Sequence, residues 1–473
     1  MNVSQNYQQF NMASAPLKVS KELTKKVAKG ARDMLPQQMA IKEGALSQIK
    51  EVFKRHGGQE IDTPVFERRE VLMGKYGDAN KLVYDIADQG GELLSLRYDL
   101  TVPFARFMAT NNIQKLKRFQ IGKVYRRDQP NSKAGRYREF YQCDFDIAGP
   151  SLPMLADAEV LKVFSELLDG FKLDFKLKLN DRRLLELAVT DRAQTDPQMF
   201  ASICTSIDKL DKEPWDQVQD ELNQKGLTYD QVQKLGDFVN GDLANGTDSF
   251  ETAIGKLETM FEKVQNQEKK GQVLHEMRLL RVYLDAMDIE RRVKLDTSLA
   301  RGLDYYTGMI FEAVIAGGEE ASLGLGSIAA GGRYDNLIGM FSKNQIPSAG
   351  GSLGIERIFN ILESRAAKEE ALINPMDIVI GQMGTINRAH VLKIASWLWS
   401  HNLKTEIFYE NQQKLGEQIK IAANKGARYL VVVGEDELKD GQLLLRDLTK
   451  KEQVKVPFDQ ESLMKAIKRD NLS

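Results

Sequence analysis

The 473-residue chain sets 66 lysines and arginines against 67 acids, a net charge of −1, with 42% hydrophobic and 28% charged residues; the length suits about two to four domains. No apolar run approaches the ~18 residues of a membrane span, and a nucleic-acid partner would have to be held by local basic patches rather than a global field. The two cysteines, Cys143 and Cys204, lack CxxC spacing, which fits a reducing compartment and argues against zinc; the four histidines, His56, His275, His390 and His401, stand in no polar cluster, which disfavours imidazole acid–base catalysis.

Residues 1–28 are rich in Gln, Asn and Ser, then in lysine, without apolar periodicity, and are expected to be a disordered basic tail. A second methionine stands at Met12, and the lack of arginine and of an apolar face speaks against an organelle-targeting segment. Gly30-Ala31-Arg32-Asp33 opens the ordered region. The spacing of Met39, Leu46, Ile49 and Phe53 predicts a helix over 36–56, stopped by Gly57-Gly58. Glu60 to Phe66 reads as a strand that Pro64 confines to an edge, a bulge or a subunit boundary. Strands over 82–86 and 92–98 follow, joined at Gly90-Gly91. Pro103 sits just inside the next helix, so Asp99 suits either an N-cap or a polar site.

Two strands, 121–126 and 138–147, then flank a polar loop carrying Pro130 and Gly135. Alternation puts Arg138, Phe140, Gln142, Asp144 and Asp146 on one face of the second strand and Glu139, Tyr141, Cys143, Phe145 and Ile147 on the other. The cations around the loop (Arg126, Arg127, Lys133, Arg136, Arg138) suit an anionic, planar ligand, because arginine forks grip phosphate and a ring such as Phe140 stacks on a base. A solvated hairpin satisfies the same pattern.

A helix over 154–168 and a strand over 171–179 come next. Residues 181–290 form a long, charged, mostly helical stretch, either an insertion that closes over a ligand or meets a partner, or a plain helical subdomain. Strand patterning returns at 293–296 and 309–315. Glycine-dense 324–332 leads into Arg333-Tyr334-Asp335, and Gly350 to Arg357 runs into a helix to about residue 364. No GxG pattern here has Rossmann or Walker spacing. After Pro375, strands at 377–380, 404–408, 429–433 and 442–447 alternate with helices at 388–400 and 414–425, implying a small α/β domain with a largely parallel sheet.

Residues 28–465 resemble a class II aminoacyl-tRNA synthetase, specifically the histidyl-tRNA synthetase family of the eukaryotic cytosolic type. The helix and the strand with Pro64 look like the dimer-forming motif 1. Tyr125-Arg-Arg-Asp128 through Arg136-Tyr-Arg-Glu-Phe-Tyr-Gln-Cys-Asp144 looks like motif 2, and Gly350 to Arg357 like motif 3. Arg301-Gly-Leu-Asp-Tyr-Tyr306 and Ala330-Gly-Gly-Arg-Tyr-Asp335 resemble patterns particular to the histidine enzymes. The resemblance implies an α+β fold: a six-stranded antiparallel catalytic sheet with helices, a helical insertion and a C-terminal α/β anticodon-binding domain. The domains would be 1–28 (tail), 29–180 and 291–366 (catalytic), 181–290 (insertion) and 375–473 (anticodon-binding).

The implied reaction is ATP-dependent ligation of L-histidine to tRNA(His) through histidyl-adenylate, with Mg²⁺, in a cytoplasmic homodimer. The resemblance assigns Arg126 and Arg301 to catalysis at the α-phosphate. It assigns Asp99, Leu100, Thr101, Arg126, Gln142, Asp146, Arg301, Tyr305 and Tyr306 to histidine binding, with Asp146 and Tyr306 on the imidazole nitrogens. Arg126, Asp128, Arg136, Phe140 and Arg357 are assigned to ATP, with adenine between Phe140 and Arg357. Gln129, Asn131 and Lys133 would face the tRNA acceptor end; no metal ligand is assigned. The chain departs from the family pattern at Asp128, where glutamate is usual, and at Ala31, where threonine is expected. The competing readings are a synthetase for glycine, threonine or proline and a non-catalytic relative that senses histidine or uncharged tRNA; such relatives tend to lose an arginine of motif 2 or 3.

Overall fold

The computed structural model describes residues 25–469, apart from 88–89, 133–134, 246–248, 301–304, 319, 322–323, 325, 370–374, 385, 387 and 411–413. The chain packs into two units, Met1–Asp33 with Phe53–Arg357 and Met34–Val52 with Ile358–Ser473.

In the first unit the strands are β1 (Gln59–Glu60), β2 (Phe66–Arg68), β3 (Asp85–Ile86), β4 (Leu94–Leu96), β5 (Leu116–Tyr125), β6 (Glu139–Ala148), β7 (Phe175–Asp181), β8 (Val293–Leu295), β9 (Met309–Ile315), β10 (Ser327–Arg333) and β11 (Ser348–Leu353). Eight of them form one sheet in the order β1-β5-β6-β11-β10-β9-β7-β8. The central six are antiparallel, as the resemblance implied, and short parallel strands, β1 and β8, extend both edges. The expected strand over 60–66 is not continuous. Residues 61–65 are irregular between β1 and β2, and the Thr63 carbonyl is satisfied by Arg97 Nη1 at 2.6 Å instead of by a ladder. The proline that lacks a donor lies inside that break. β2, β4 and β3 make a separate three-stranded sheet.

β5 and β6 form the long hairpin. One face of the pair is aromatic: Phe145 stacks on Phe53 at 5.4 Å, and Phe119 lies 5.6 Å from the same ring. The other face carries the polar residues. Between β7 and β8 the chain leaves the sheet as a run of helices from Arg182 to Ala286 and returns beside the strand it left, since β8 pairs with β7.

The second unit contains β12 (Ile378–Met383), β13 (Thr405–Ile407), β14 (Tyr429–Gly434), β15 (Gln442–Asp447) and β16 (Glu452–Pro457) in the order β13-β12-β14-β15-β16. The first three are parallel and the last two antiparallel, so the sheet is mixed rather than largely parallel. β16, which the sequence pattern did not reveal, is mostly exposed and reads as polar because it is an edge. Side chains bury on both faces: Ile378, Ile380, Val431 and Val433 on one, Val379, Leu430 and Val432 on the other.

Candidate active site

The site is built on the polar face of β5 and β6. Their register pairs Arg118 with Asp146, Gln120 with Asp144 and Gly122 with Gln142, so these side chains share one face. Arg118 is fully buried. Its Nη2 lies 2.7 Å from Asp146 Oδ2 and 3.8 Å from Asp144 Oδ2, and donates to the Leu100 carbonyl at 3.2 Å. The guanidinium sits 4.4 Å from the Phe104 ring centroid. Burial raises the carboxyl of Asp144 to about 7, against the pull of Arg118 and with a push from Asp146. Asp146 is raised by the same desolvation, while Arg118 and the Tyr334 hydroxyl, which donates to its Oδ1, work the other way. Gly350, directly across the ladder on β11, leaves room for that carboxylate: a Cβ there would collide with Asp146 Oδ1.

Asp99 closes a second wall. It is buried, accepts from the Tyr76 hydroxyl at 2.8 Å and from the Val102 N–H at 3.2 Å, and burial raises its carboxyl. Asp99 thus precedes the N-cap, which is Leu100, and its side chain accepts a first-turn N–H from there. Thr101 opens the helix Thr101–Thr110, and Leu100 is buried with its carbonyl taken by Arg118. Gln142 donates to Ser352 Oγ at 2.9 Å, and its own Oε1 is buried with no hydrogen-bond partner among the described residues. Tyr305 and Tyr306 stand edge-on at 4.9 Å, with Tyr305 6.1 Å from Tyr334; burial holds all three phenols above their ordinary range.

The cationic rim lies at the open end of the hairpin. Arg126 is half-buried, donates from Nε to the Tyr98 carbonyl at 3.1 Å, and lies 4.2 Å from the Tyr98 ring and 5.1 Å from the Phe140 ring. Asp128 and Arg136 are exposed; Asp128 Oδ1 accepts the Gln129 N–H, and the Arg136 backbone pairs with Asn131 across the loop. Arg357 starts the helix Ile355–Glu369 against Gly135 of the loop, where even a Cβ would stand 3.0 Å from its Cγ, and beside Gly326. Arg301 and Lys133, to which the resemblance gave roles, lie outside the described residues. Among the described residues no group of three His, Cys, Asp or Glu side chains could hold a metal.

The geometry thus joins a buried carboxylate floor to a cationic, aromatic rim on one antiparallel sheet. A family model described as histidyl-tRNA synthetase matches residues 30–358, and one described as an anticodon binding domain matches 377–469. The chain belongs to the histidyl-tRNA synthetase family. Its fold is the class II fold of that family with a C-terminal anticodon-binding domain. The histidine–tRNA ligase of Danio rerio is 43% identical over 91% of this chain and 86% of that protein. The mitochondrial histidine–tRNA ligase of Bos taurus is 42% identical over 97% of this chain and 88% of that protein. A cytoplasmic one from Arabidopsis thaliana reaches 46% over 90% of this chain and 47% of its own length, so identity does not separate a cytosolic from a mitochondrial type. The crystal structure of histidyl-tRNA synthetase from Nostoc sp. PCC 7120 superposes with a TM-score of 0.74 at 29% identity, covering 95% of this chain and 100% of that one.

Around this candidate site Tyr76, Arg97 and Arg118 went unnamed in the sequence analysis, and Tyr334 and Ser352 stood inside quoted stretches without a role. Arg118 had a signal, since alternation along 116–125 puts it with Gln120 on the face opposite Phe119. The histidines also need correction: His56 does sit among charges, with Nδ1 3.4 Å from Glu159 and Nε2 3.2 Å from Glu166. Those partners come from one helix a hundred residues away, which no local pattern shows.

Proposed function

We propose that the chain ligates L-histidine to tRNA(His) in two steps, as a cytoplasmic homodimer using MgATP. The histidine carboxylate attacks the α-phosphorus of ATP, the bond to the β-phosphate oxygen breaks, and pyrophosphate leaves. The 3′-hydroxyl of the terminal adenosine then attacks the acyl carbon of histidyl-adenylate, loses its proton, and AMP leaves. Neither step needs a side-chain nucleophile; both need alignment and charge neutralisation.

The observation that carries this reading is the Asp146 carboxylate, held by Arg118 and Tyr334 on the polar face of the hairpin whose open end carries Arg126 and Phe140, with Arg357 against its loop. A fixed, buried carboxylate accepts an imidazole N–H and rejects apolar side chains that would leave it unpaired. In this reading Asp146 and Tyr306 read the imidazole, with Tyr305 beside them. Asp99, Thr101 and Gln142 meet the α-ammonium, with Leu100 beside them in the histidine site. Arg126 and Arg301 neutralise the α-phosphate and carboxylate, Arg136 and Arg357 hold the outer phosphates, Phe140 and Arg357 sandwich adenine, and Asp128 reaches the adenine amino group. Mg²⁺ arrives with the phosphates of its substrate, since such an ion needs only one or two carboxylates besides phosphate oxygens.

We assign 29–180 and 291–366 to the catalytic domain and 181–290 to the insertion, supported by the adjacency of β7 and β8 across the helical run. We assign 375–473 to anticodon binding, supported by the family match there. Exposed Val65, Phe66 and Leu93 around the motif 1 segment support a protomer contact, which light scattering would test. The cytoplasmic relatives support the compartment; co-localisation of a tagged protein with a matrix marker would overturn it.

The deciding experiment is ATP–pyrophosphate exchange with each of the twenty amino acids and no tRNA. Exchange with histidine alone is the expected result. No exchange with any amino acid, from folded protein, would move the reading to a regulatory relative. Arg301→Ala should cut adenylate formation by orders of magnitude while histidine binding persists.

A further inference from the structure

The opening segment Gly30 to Asp33 has no role in the reaction just described, yet it is tied into the rim. The Arg32 guanidinium lies 2.6 Å from Glu356 Oε2, with side-chain exposures of 20% and 8%, and 4.6 Å from the Tyr137 ring centroid. Two residues earlier, the Gly30 carbonyl accepts the Arg138 N–H at 2.8 Å. Gly30 has φ +82°, and a Cβ there would press on Arg138 Cγ at 2.7 Å, so the segment lies flat against the loop exit.

Glu356 is the pivot. The β6–β11 ladder ends at the pair Cys143–Leu353. Past that point the Tyr141 N–H is taken not by a strand but by Glu356 Oε1, at 3.3 Å. The carboxylate therefore extends the ladder toward Phe140, while its own backbone leads into Arg357. A carboxylate held in place by a cation on one oxygen keeps the other aimed at its donor.

We propose that Arg32 is a positioning residue for ATP: through Glu356 it sets the separation of Phe140 on β6 from Arg357 on the following helix. The proposal rests on the reading of those two residues as the adenine clamp. The clamp halves come from elements far apart in sequence, and Arg32 bridges them with one planar side chain that pairs with Glu356 and stacks on Tyr137. Lysine at this position would keep the charge and lose the fork and the stack.

The test is steady-state exchange with Arg32→Ala, Arg32→Lys and, should Arg32→Ala fail to fold, Glu356→Gln, which retains an acceptor for Tyr141 but not the ion pair. Arg32→Ala should raise the KM for ATP about tenfold or more and leave the KM for histidine within about twofold; Arg32→Lys should recover part of the loss, and Glu356→Gln should move the same constant in the same direction. Equal effects on both substrates, or an unchanged KM for ATP, would overturn the proposal, whatever the melting temperature does. If the wild-type protein shows no histidine-dependent exchange, the functional reading falls separately. Calorimetric titration of wild type and variants with MgATP then decides Arg32, with equal affinities counting against it.

Discussion

Replacing Asp144 with asparagine isolates the cost of the carboxylate floor. Asp144 is 1% exposed, and its carboxyl is pushed from an ordinary value of 3.8 to about 7, chiefly by burial. Between those values the unfolded chain holds fewer protons than the folded one, so stability falls as pH rises through the window and levels off above about 7. Each pH unit across that window is worth at most about 1.4 kcal/mol for one such group, and the loss is Asp144's own contribution. The asparagine side chain of the variant cannot titrate, and Asp146 still holds Arg118 at 2.7 Å against 3.8 Å for Asp144, so the cation keeps its nearer partner. The stability of Asp144→Asn relative to wild type should therefore rise between pH 5 and pH 8. Any fixed penalty for the amide cancels in that difference. Thermal melts followed by circular dichroism at both pH values measure it; the same variant-minus-wild-type difference at pH 5 and pH 8 would refute the reasoning.

Three further outcomes follow from the same geometry. Tyr334→Phe keeps the ring against Tyr305 and removes the hydroxyl that donates to Asp146, so the KM for histidine in exchange should rise about tenfold while that for ATP holds. Arg118→Met leaves two buried carboxylates without their fully buried cation and should cost about 3–5 kcal/mol in a denaturation assay, part of it recovered by adding Asp144→Asn. His56 is raised above 6.5, first by its hydrogen bond to Glu159, with Glu166 adding to it and burial opposing. Its contribution is complete below pH 6.5 and fades as pH rises through the folded value, so His56→Gln should melt below wild type at pH 6 and together with it at pH 9.

What the chain disclosed by itself was local. The hairpin was legible because alternation and a polar, glycine-bearing loop are properties of consecutive residues; its first strand was still read five residues late, at 121 rather than 116, because Leu116 to Gln120 carries its meaning only opposite β6. The segment with Pro64 misled for a related reason. Its apolar, β-branched residues favour a strand, but the side chain of Arg97, thirty-four residues on, replaces the missing ladder partner. Asp99, Gln142 and Asp146 could be named from motif resemblance, while the contacts that hold these side chains could not, even where Tyr334 and Ser352 stood inside a quoted stretch. Arg118 compensates Asp146 only once the β5–β6 register is set. Tyr334 reaches it only because β10 stands two strands away across β11, whose Gly350 leaves the carboxylate room.

This division has a physical cause. A reader of substrate must face the cleft, so its type is constrained by chemistry and repeats in a motif. A group that holds the reader in place is constrained only by position, and any donor or cation that arrives at the right point of the sheet will serve. Glu356 shows the limit of the rule: it belongs to motif 3 by sequence, yet its work in the structure is done at Tyr141 and Arg32, both far from it along the chain. Support of this kind becomes visible only when the strands are in register. The arginines buried or half-buried against carboxylates (Arg32, Arg118 and Arg333, which grips Asp157 and Asp335) are accordingly where substitutions should alter substrate constants without touching a substrate.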